Sequence, residues 1–448
     1  MSKLEKNDLI DWFVSGEKPK KEWKIGTEHE KFVFHENSFN RVGYFGKSGI
    51  SELLNKLAEK NKWEKILENN NTIALRDHTG ASISLEPGGQ LELSGKPLEN
   101  LHQTCKETGL HLKMMKDVMS ELGLSMIGLG YDPKWSRSDQ NWMPKGRYEI
   151  MKNYMPKVGN LGLDMMLRTC TIQVNLDYFS EKDMVQKFQI SLALQSVATA
   201  LFANSPFIEG QASGYLSSRA MVWTDTDPDR TGVPGIVFDP NFGYESWLNY
   251  ILQVPMYFIY REGKYIDVSG QSFKDFMDGK LIGFEGQYPT IKDWEDHITV
   301  AFPEVRLKQY LEMRGADGGP WNIICALPAL WVGLLYDDQS QSEAFDLAKP
   351  LMDVGMLEEG RISAAKLGLG GKIGENSIEY LATEMLKISS SGLSRRNKLD
   401  KKGIDERQFL DPLFHILQNK ETGAEKLLKN YNNSWSKDIN KIFTESSY

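Results

Sequence analysis

The stretch KIGTEHEKFVFH, residues 24–35, carries two glutamates two positions apart. As a strand it sets Glu28 and Glu30 on one face with Phe32 and Phe34, and turns His29 to the other. Like charges side by side on a pleated surface repel, so the pair calls for something positive between them. Further carboxylates stand on segments of the same alternating kind: Glu86 and Glu92 in ASISLEPGGQLELSG (81–95), and Glu312 beside Arg314 in FPEVRLKQYLEMRGADGGPW (302–321). In QLELS, Gln90 and Glu92 share a face while Leu91 and Leu93 take the other, so Glu92 can enter a site with its neighbours in a core. Hard oxygen donors without a Cys set or a His pair suit Mg2+ or Mn2+, which keep waters and share oxygens with substrate phosphates. Phosphoryl transfer is the chemistry they point to. Arg147, Arg168, Arg219, Arg230, Arg261, Arg306 and Arg314 lie in or beside these segments, and guanidinium forks match carboxylate and phosphate oxygens. A lone Glu-x-Glu is most often a solvated face and a lone arginine most often a surface ion pair. The joint pattern is what lifts the functional reading.

Familiar alternatives fail on spacing. A phosphate-binding loop ending in the GKS of residues 46–48 needs glycine where Arg41 stands. HEKFVFH places its second histidine at His35 instead of position 33, so the zinc-protease pair is absent. No GxSxG occurs, and GLGYDP at Gly128 lacks the third glycine of a dinucleotide loop.

The elements that must position these residues are legible in outline. Helical spacing of Ile50, Leu53, Leu54 and Leu57 predicts a helix within 47–63, and a second runs over about 97–122 with Gly123 as its stop. Residues 81–95 read as two short strands or a hairpin around Pro-Gly-Gly. Residues 165–178 are predicted as one central strand aligning Thr169, Thr171, Gln173 and Asn175, with Arg168 opposite unless a bulge intervenes. An apolar helix follows over about 182–203, then a polar loop over 217–235 of functional composition, then a strand ending at Arg261. Tyr310, Glu312 and Arg314 alternate with Leu311 and Met313, and from about residue 320 the chain reads as mostly helical with few buried polar groups. The apolar run 323–336 contains Pro328 and is too short to span a bilayer, so it reads as a buried helix. With no repeat and no linker, residues 1–448 read as a single catalytic domain with a mostly helical C-terminal portion.

A net charge of −8 argues against a nucleic-acid protein. The start lacks the apolar region of a secretory signal, no membrane segment is expected, and three scattered cysteines suit a reducing cytoplasm better than a disulfide scaffold.

The segments IGTEHEKF, LEPGGQLELSG, MPKGRY, NYMPKVG, LGLDMM-RTCT-QVNLD, VWTDTDPDRTG, FPEVRLK-YLEMRGADGGPW and ALPALWVGLLYD, in this order, resemble the plant and proteobacterial type of glutamate–cysteine ligase. The resemblance implies an α+β, glutamine synthetase-like fold: a curved, mainly antiparallel sheet forming a funnel flanked by helices. It implies ATP-dependent joining of the γ-carboxyl of L-glutamate to L-cysteine through γ-glutamyl phosphate, the first step of glutathione synthesis, with two or three Mg2+ ions that Mn2+ can replace. By that resemblance Glu28, Glu30, Glu92 and Glu312 are metal ligands, joined by Glu86 and by Gln173, which stands where the wider superfamily often has histidine. On the same resemblance Arg314 is expected to stabilise the transferring phosphoryl and, with Asn175, to contact the nucleotide, and Arg147, Arg168, Thr171, Arg219, Trp223 and Arg261 are expected to bind substrate. Cys105 and Cys325 match a redox pair of plant members, although two buried reduced thiols remain an equal reading. Feedback inhibition by glutathione and a monomeric or homodimeric state are further expectations. A related ligase using another amine, or a non-catalytic glutamate or nucleotide sensor, are the alternatives.

Overall fold

The computed structural model describes residues 3–448. Its centre is a nine-stranded sheet built from β1 (Ile25–His35), β2 (Glu64–Glu68), β3 (Asn71–Arg76), β4 (Ser82–Leu85), β5 (Leu91–Ser94), β6 (Leu124–Ile127), β7 (Thr171–Leu176), β8 (Val305–Leu307) and β9 (Leu311–Asp317). The strands lie in the order β8-β9-β7-β1-β5-β4-β3-β2, with β6 paired to the far end of β1, and the sheet stays open. Every pairing in it is antiparallel. β1 is central: Glu30 lies opposite Glu92 of β5, and Glu28 lies opposite both Ser94 of β5 and Gln173 of β7. Side chains opposite one another share a face, so the register gathers these polar groups on one side of the sheet.

The hairpin expected over 81–95 forms as β4 and β5, closed by a turn in which the Gly89 amide donates to the Glu86 carbonyl. Gly89 holds φ +82, a conformation open to glycine at little cost, and the turn leaves Glu86 at the rim. Between Met313 and Ala316 the register of β9 against β7 shifts. Two residues, Arg314 and Gly315, thus face the single Gln173, a bulge that re-aims the strand beside the site.

Helices supply the packing. In chain order they include α1 (Ile50–Asn61), α2 (Leu101–Glu121), α3 (Gly162–Arg168), α4 (Glu181–Leu201), α5 (Ser218–Val222), α6 (Trp321–Leu335) and α7 (Ile378–Arg396). α1 buries Ile50, Leu53, Leu54 and Leu57, the residues whose spacing predicted it. α4 is buried along most of its length, and its Thr199 hydroxyl donates to the Gly315 carbonyl at 2.9 Å, pinning the bulge from behind. α6 is continuous through Pro328, which stays buried. Among the described residues no helix is long and apolar enough to cross a membrane.

Three expectations are corrected. The predicted strand over 165–178 is a helix followed by a strand, α3 and then β7. Met165, Met166, Leu167 and Arg168 are good helix formers, and only from Thr171 do β-branched residues take over. The predicted loop 217–235 contains α5, because the Ser217 side chain accepts from the Ala220 amide and caps its start. The C-terminal portion buries more polar groups than expected: Glu406 is wholly buried, accepting from the Leu101 amide at 2.7 Å and facing Arg396 at 3.2 Å.

Candidate active site

One face of the sheet carries Glu28, Glu30, Glu92, Gln173, Asn175 and Glu312 on adjacent strands, with Glu86 at the hairpin rim. Each is anchored by a neighbour the register supplies. Asn175 donates to Glu28 Oε1 at 2.8 Å, the Thr171 amide donates to Glu30 Oε2 at 2.9 Å, and Ser94 Oγ donates to Glu92 Oε1 at 2.7 Å. Arg314 Nη1 donates both to Gln173 Oε1 at 2.8 Å and to Glu312 Oε2 at 2.9 Å. Gly26 lies opposite Asn175, and a Cβ there would approach the Asn175 side chain to 3.1 Å. The missing side chain leaves Asn175 free to reach Glu28.

The carboxylates divide into two electrostatic classes. Burial, reinforced by Glu312 and Glu92, pushes Glu28 up to about 7. Burial and then Glu86 and Glu92 hold Glu30 well above the usual carboxylate range, and burial likewise raises Glu86 and Glu92. Glu312 goes the other way: burial alone would raise it, but Arg306 at 2.7 Å, Lys308 at 3.4 Å and Arg314 at 2.9 Å hold it well below. None of the first four has a cation in direct contact, although Lys145 and Arg147 act on Glu86 from further off, while Glu312 already has three.

A cavity of about 260 Å3 opens on this cluster, lined by Glu30, Glu86, Thr171, Gln173, Arg219 and Arg314 together with Lys145, Arg147, Tyr148, Trp223 and three methionines, Met151, Met165 and Met166. Its wall holds buried donors with no partner: Arg219 Nε, Arg147 Nε and Trp223 Nε1. Such donors suit an anionic, partly apolar substrate. Arg219 is presented by α5, and its Nη2 donates to the Arg314 carbonyl at 2.7 Å. Behind it, buried Asp317 accepts from the Asn204 amide at 2.8 Å, Ser205 Oγ at 2.6 Å and Ser217 Oγ at 2.7 Å, which fixes the start of α5.

Of the residues singled out in the sequence, the structure gathers Glu28, Glu30, Glu86, Glu92, Gln173, Asn175, Glu312, Arg314, Thr171, Arg147, Arg219 and Trp223 around this face. It does not bring Arg168 or Arg261 there. Arg168 ends α3, pairs with Asp164 and Glu209 at 3.1 Å each and lies over the Tyr131 ring. Arg261 forms a two-pronged pair with Asp293 at 2.6 and 3.1 Å. Neither lines the cavity, so the structure gives their expected substrate contact no geometric support. Cys105 on α2 and Cys325 on α6 are buried free thiols, and burial and then the neighbouring Cys325 push the Cys105 thiol up. Sequence reasoning passed over Lys145, in the quoted MPKGRY, and Lys308, in VRLK. Lys145 lines the cavity beside Glu86, with burial pulling its amine down; Lys308 faces Glu312 and is raised by it against the opposing effect of burial.

The donor chemistry fits divalent cations: Glu30 is buried and Glu28, Glu86 and Glu92 are half-buried, none of the four sits in a direct ion pair among the described residues, and none is sulfur or imidazole. Among the described residues no three acidic, His or Cys side chains converge closely enough to hold an ion unaided. An ion on this face would therefore need water or phosphate oxygens to complete its shell.

Residues 24–445 match the family described as glutamate-cysteine ligase family 2. The chain is 51% identical over 448 residues to the chloroplastic glutamate–cysteine ligase of Medicago truncatula, covering 99% of this chain and 85% of that one. It is 52% identical over 448 residues to chloroplastic glutamate–cysteine ligase A of Oryza sativa subsp. indica, covering 99% and 88%. The fold is shared with the crystal structure of a glutamate–cysteine ligase from Francisella tularensis in complex with AMP, at a TM-score of 0.53 and 12% identity over 94% of this chain and 88% of that one. The cytoplasmic placement expected from the sequence is corrected by these comparisons, since the relatives matched are chloroplastic enzymes.

Proposed function

The chain belongs to glutamate-cysteine ligase family 2, and from that premise we propose how its residues divide the work of making γ-glutamylcysteine from L-glutamate, L-cysteine and ATP, the first step of glutathione synthesis. The γ-carboxylate of glutamate attacks the γ-phosphorus of ATP, the bond to ADP breaks, and γ-glutamyl phosphate forms. The amine of cysteine then attacks the acyl carbon, phosphate leaves, and the nitrogen gives up a proton as the amide closes. Phosphorylation turns a carboxylate, which resists attack, into an acyl group with a good leaving group.

The observation that carries this reading is the file of carboxylates on one sheet face, raised by desolvation and by one another and without direct ion pairs, beside a cavity whose wall holds unpartnered donors. Glu28, Glu30, Glu86 and Glu92 would hold Mg2+, with Gln173 and Glu312 at the edge of the set. When bound, Mg2+ neutralises the phosphate oxygens and aligns them for transfer. Arg314, braced by Glu312 and Gln173, stabilises charge on the transferring phosphoryl, and Asn175 orients Glu28 beside the nucleotide. Arg219 and Arg147 hold substrate carboxylate oxygens with their free Nε donors, and Trp223 closes one side. Thr171 acts through its amide, which fixes Glu30. The whole chain acts as a single catalytic domain.

Cys105 and Cys325 form a reversible dithiol in this reading. Oxidation by a small-molecule disulfide joins the two sulfurs as the oxidant's own S–S bond breaks; both electrons and both thiol protons pass to it, it leaves as two thiols, and α2 is tied covalently to the α6 it already packs on. Glutathione carries the same γ-glutamyl group as the product and is expected to compete for the glutamate subsite.

The test is phosphate release with Mg·ATP and glutamate, with and without cysteine. Cysteine-dependent release with γ-glutamylcysteine as product is expected. Equal support by other amines would remove the acceptor assignment, and an unchanged glutamate KM in Arg219→Ala would remove Arg219 from the subsite.

A further inference from the structure

A larger cavity, about 670 Å3, opens on the opposite face of the same sheet. Leu93 lines it, and Leu93 lies opposite His29, both on the face turned away from Glu30 and Glu92. The other wall is α2, which presents Gln103, Glu107, Leu110 and Met114 at intervals of three and four residues, one helical stripe. Leu110 is 58% exposed there, apolar surface left in water beside apolar Leu93 and Leu98.

The polar groups of this cavity are under-satisfied. His111 is 5% exposed and lines it; Nε2 meets Lys31 Nζ at 3.1 Å, but buried Nδ1 has no partner. The Glu107 carboxylate receives one long bond, at Oε1 from the Lys96 amide at 3.3 Å; Oε2 is buried against Gly95 without a partner, so the spare capacity that an occupant can reach lies at Oε1. The charges around the mouth sort cleanly. Lys24 and Glu99 neutralise each other at 3.0 Å, and Asp77 is spent on Thr79 and on the Ala81 amide. That leaves Glu107 as the carboxylate with spare capacity and Lys96 and Lys106, which make no ion pair among the described residues, as the free cations.

We propose that this cavity is a second small-molecule site, separate from the catalytic one, that takes an amphipathic zwitterion: its ammonium on Glu107, its carboxylate toward Lys96 and Lys106, its apolar body against Leu93, Leu98 and Leu110. A pure cation would meet two unpaired lysines and a pure anion would meet Glu107, so only an occupant of both signs answers all three. The volume is that of an ordinary small-ligand pocket.

Three probes that share one aromatic body separate the cases: L-phenylalanine, 3-phenylpropionate and phenethylamine, read by saturation-transfer NMR on the full-length protein. L-phenylalanine is expected to bind most tightly, to stay bound under saturating L-glutamate, and to lose affinity by at least about tenfold in both Glu107→Gln and Lys106→Glu. Lys106 is exposed, so its variant keeps the fold whatever Glu107→Gln does. No saturation of L-phenylalanine, displacement by L-glutamate, a preference for either single-charge probe, or affinity unchanged in Lys106→Glu would each overturn the proposal.

Discussion

Replacing Glu28 by glutamine should make the metal-free protein more stable while destroying its activity. In the fold, Glu28 is pushed from 4.5 up to about 7 by burial and then by Glu312 and Glu92. Below about pH 4.5 both folded and unfolded chains hold the proton and no penalty exists; as pH rises the unfolded chain ionises first, so stability is lost until about pH 7 and stays lost above it. At about 1.4 kcal/mol per pH unit this gap is worth about 3 kcal/mol, and partial solvent contact of the carboxylate reduces it to about 2 kcal/mol. Glutamine carries no charge at any pH and its Oε1 still accepts from Asn175, which now donates at 2.8 Å. Thermal unfolding in EDTA at pH 8 should therefore show Glu28→Gln melting about 2–4 °C above the parent, a difference that closes by pH 4.5. Added Mg·ATP should reverse the order, because only the parent keeps the full ligand set. A variant that melts lower than the parent at pH 8 without metal would refute the claim that this cluster is short of positive charge.

Arg314→Lys keeps a charge beside Glu312 but loses the fork that also reaches Gln173; kcat is expected to fall by about 3 kcal/mol worth of transition-state stabilisation with glutamate KM little changed, as steady-state kinetics would show. Asp317→Ala strips the acceptor from Ser205, Ser217 and the Asn204 amide, so α5 should loosen and glutamate KM rise through Arg219, with about 3 kcal/mol lost from stability; an unaltered KM would break the link. His297 is held down to about 4 from 6.5, chiefly by burial, so it stays neutral in the fold and stability should be lost as pH falls from about 6.5 to about 4. Denaturation midpoints at pH 7 and pH 5 should differ less in His297→Gln than in the parent. Cys105→Ser should abolish any oxidant-dependent change in activity and gel mobility; the same response in the variant would exclude the dithiol.

Much of the site was legible because strands alternate. Glu28 and Glu30, and separately Glu312 and Arg314, needed only the period of two to fall on one face. Glu92 could be aimed from its leucine neighbours. What alternation cannot supply is pairing: that Glu30 faces Glu92, or that Glu28 faces Gln173, is fixed by long-range register. Arg168 owed its expected substrate role to the family resemblance alone, since alternation had already turned it to the opposite face; what the sequence missed there was the change of element. Local preferences on either side of Thr169 differ, and a reading that runs one element through both loses the boundary where helix becomes strand. Lys145 and Lys308 carry no local mark, since a lysine in a turn looks solvated until the fold closes over it.

β1 spends both of its faces. Glu28 and Glu30 look toward the phosphate chemistry, while His29 and Lys31, both wholly buried, look the other way. Such a strand behaves like a reading frame. Point changes alter one letter at a time and can be tolerated or repaired, but deleting or inserting a single residue between positions 25 and 31 would exchange the two messages at once, putting His29 and Lys31 among the carboxylates and the glutamates among the leucines. Length variation within the lineage should accordingly fall in the turns around this strand and spare the strand itself.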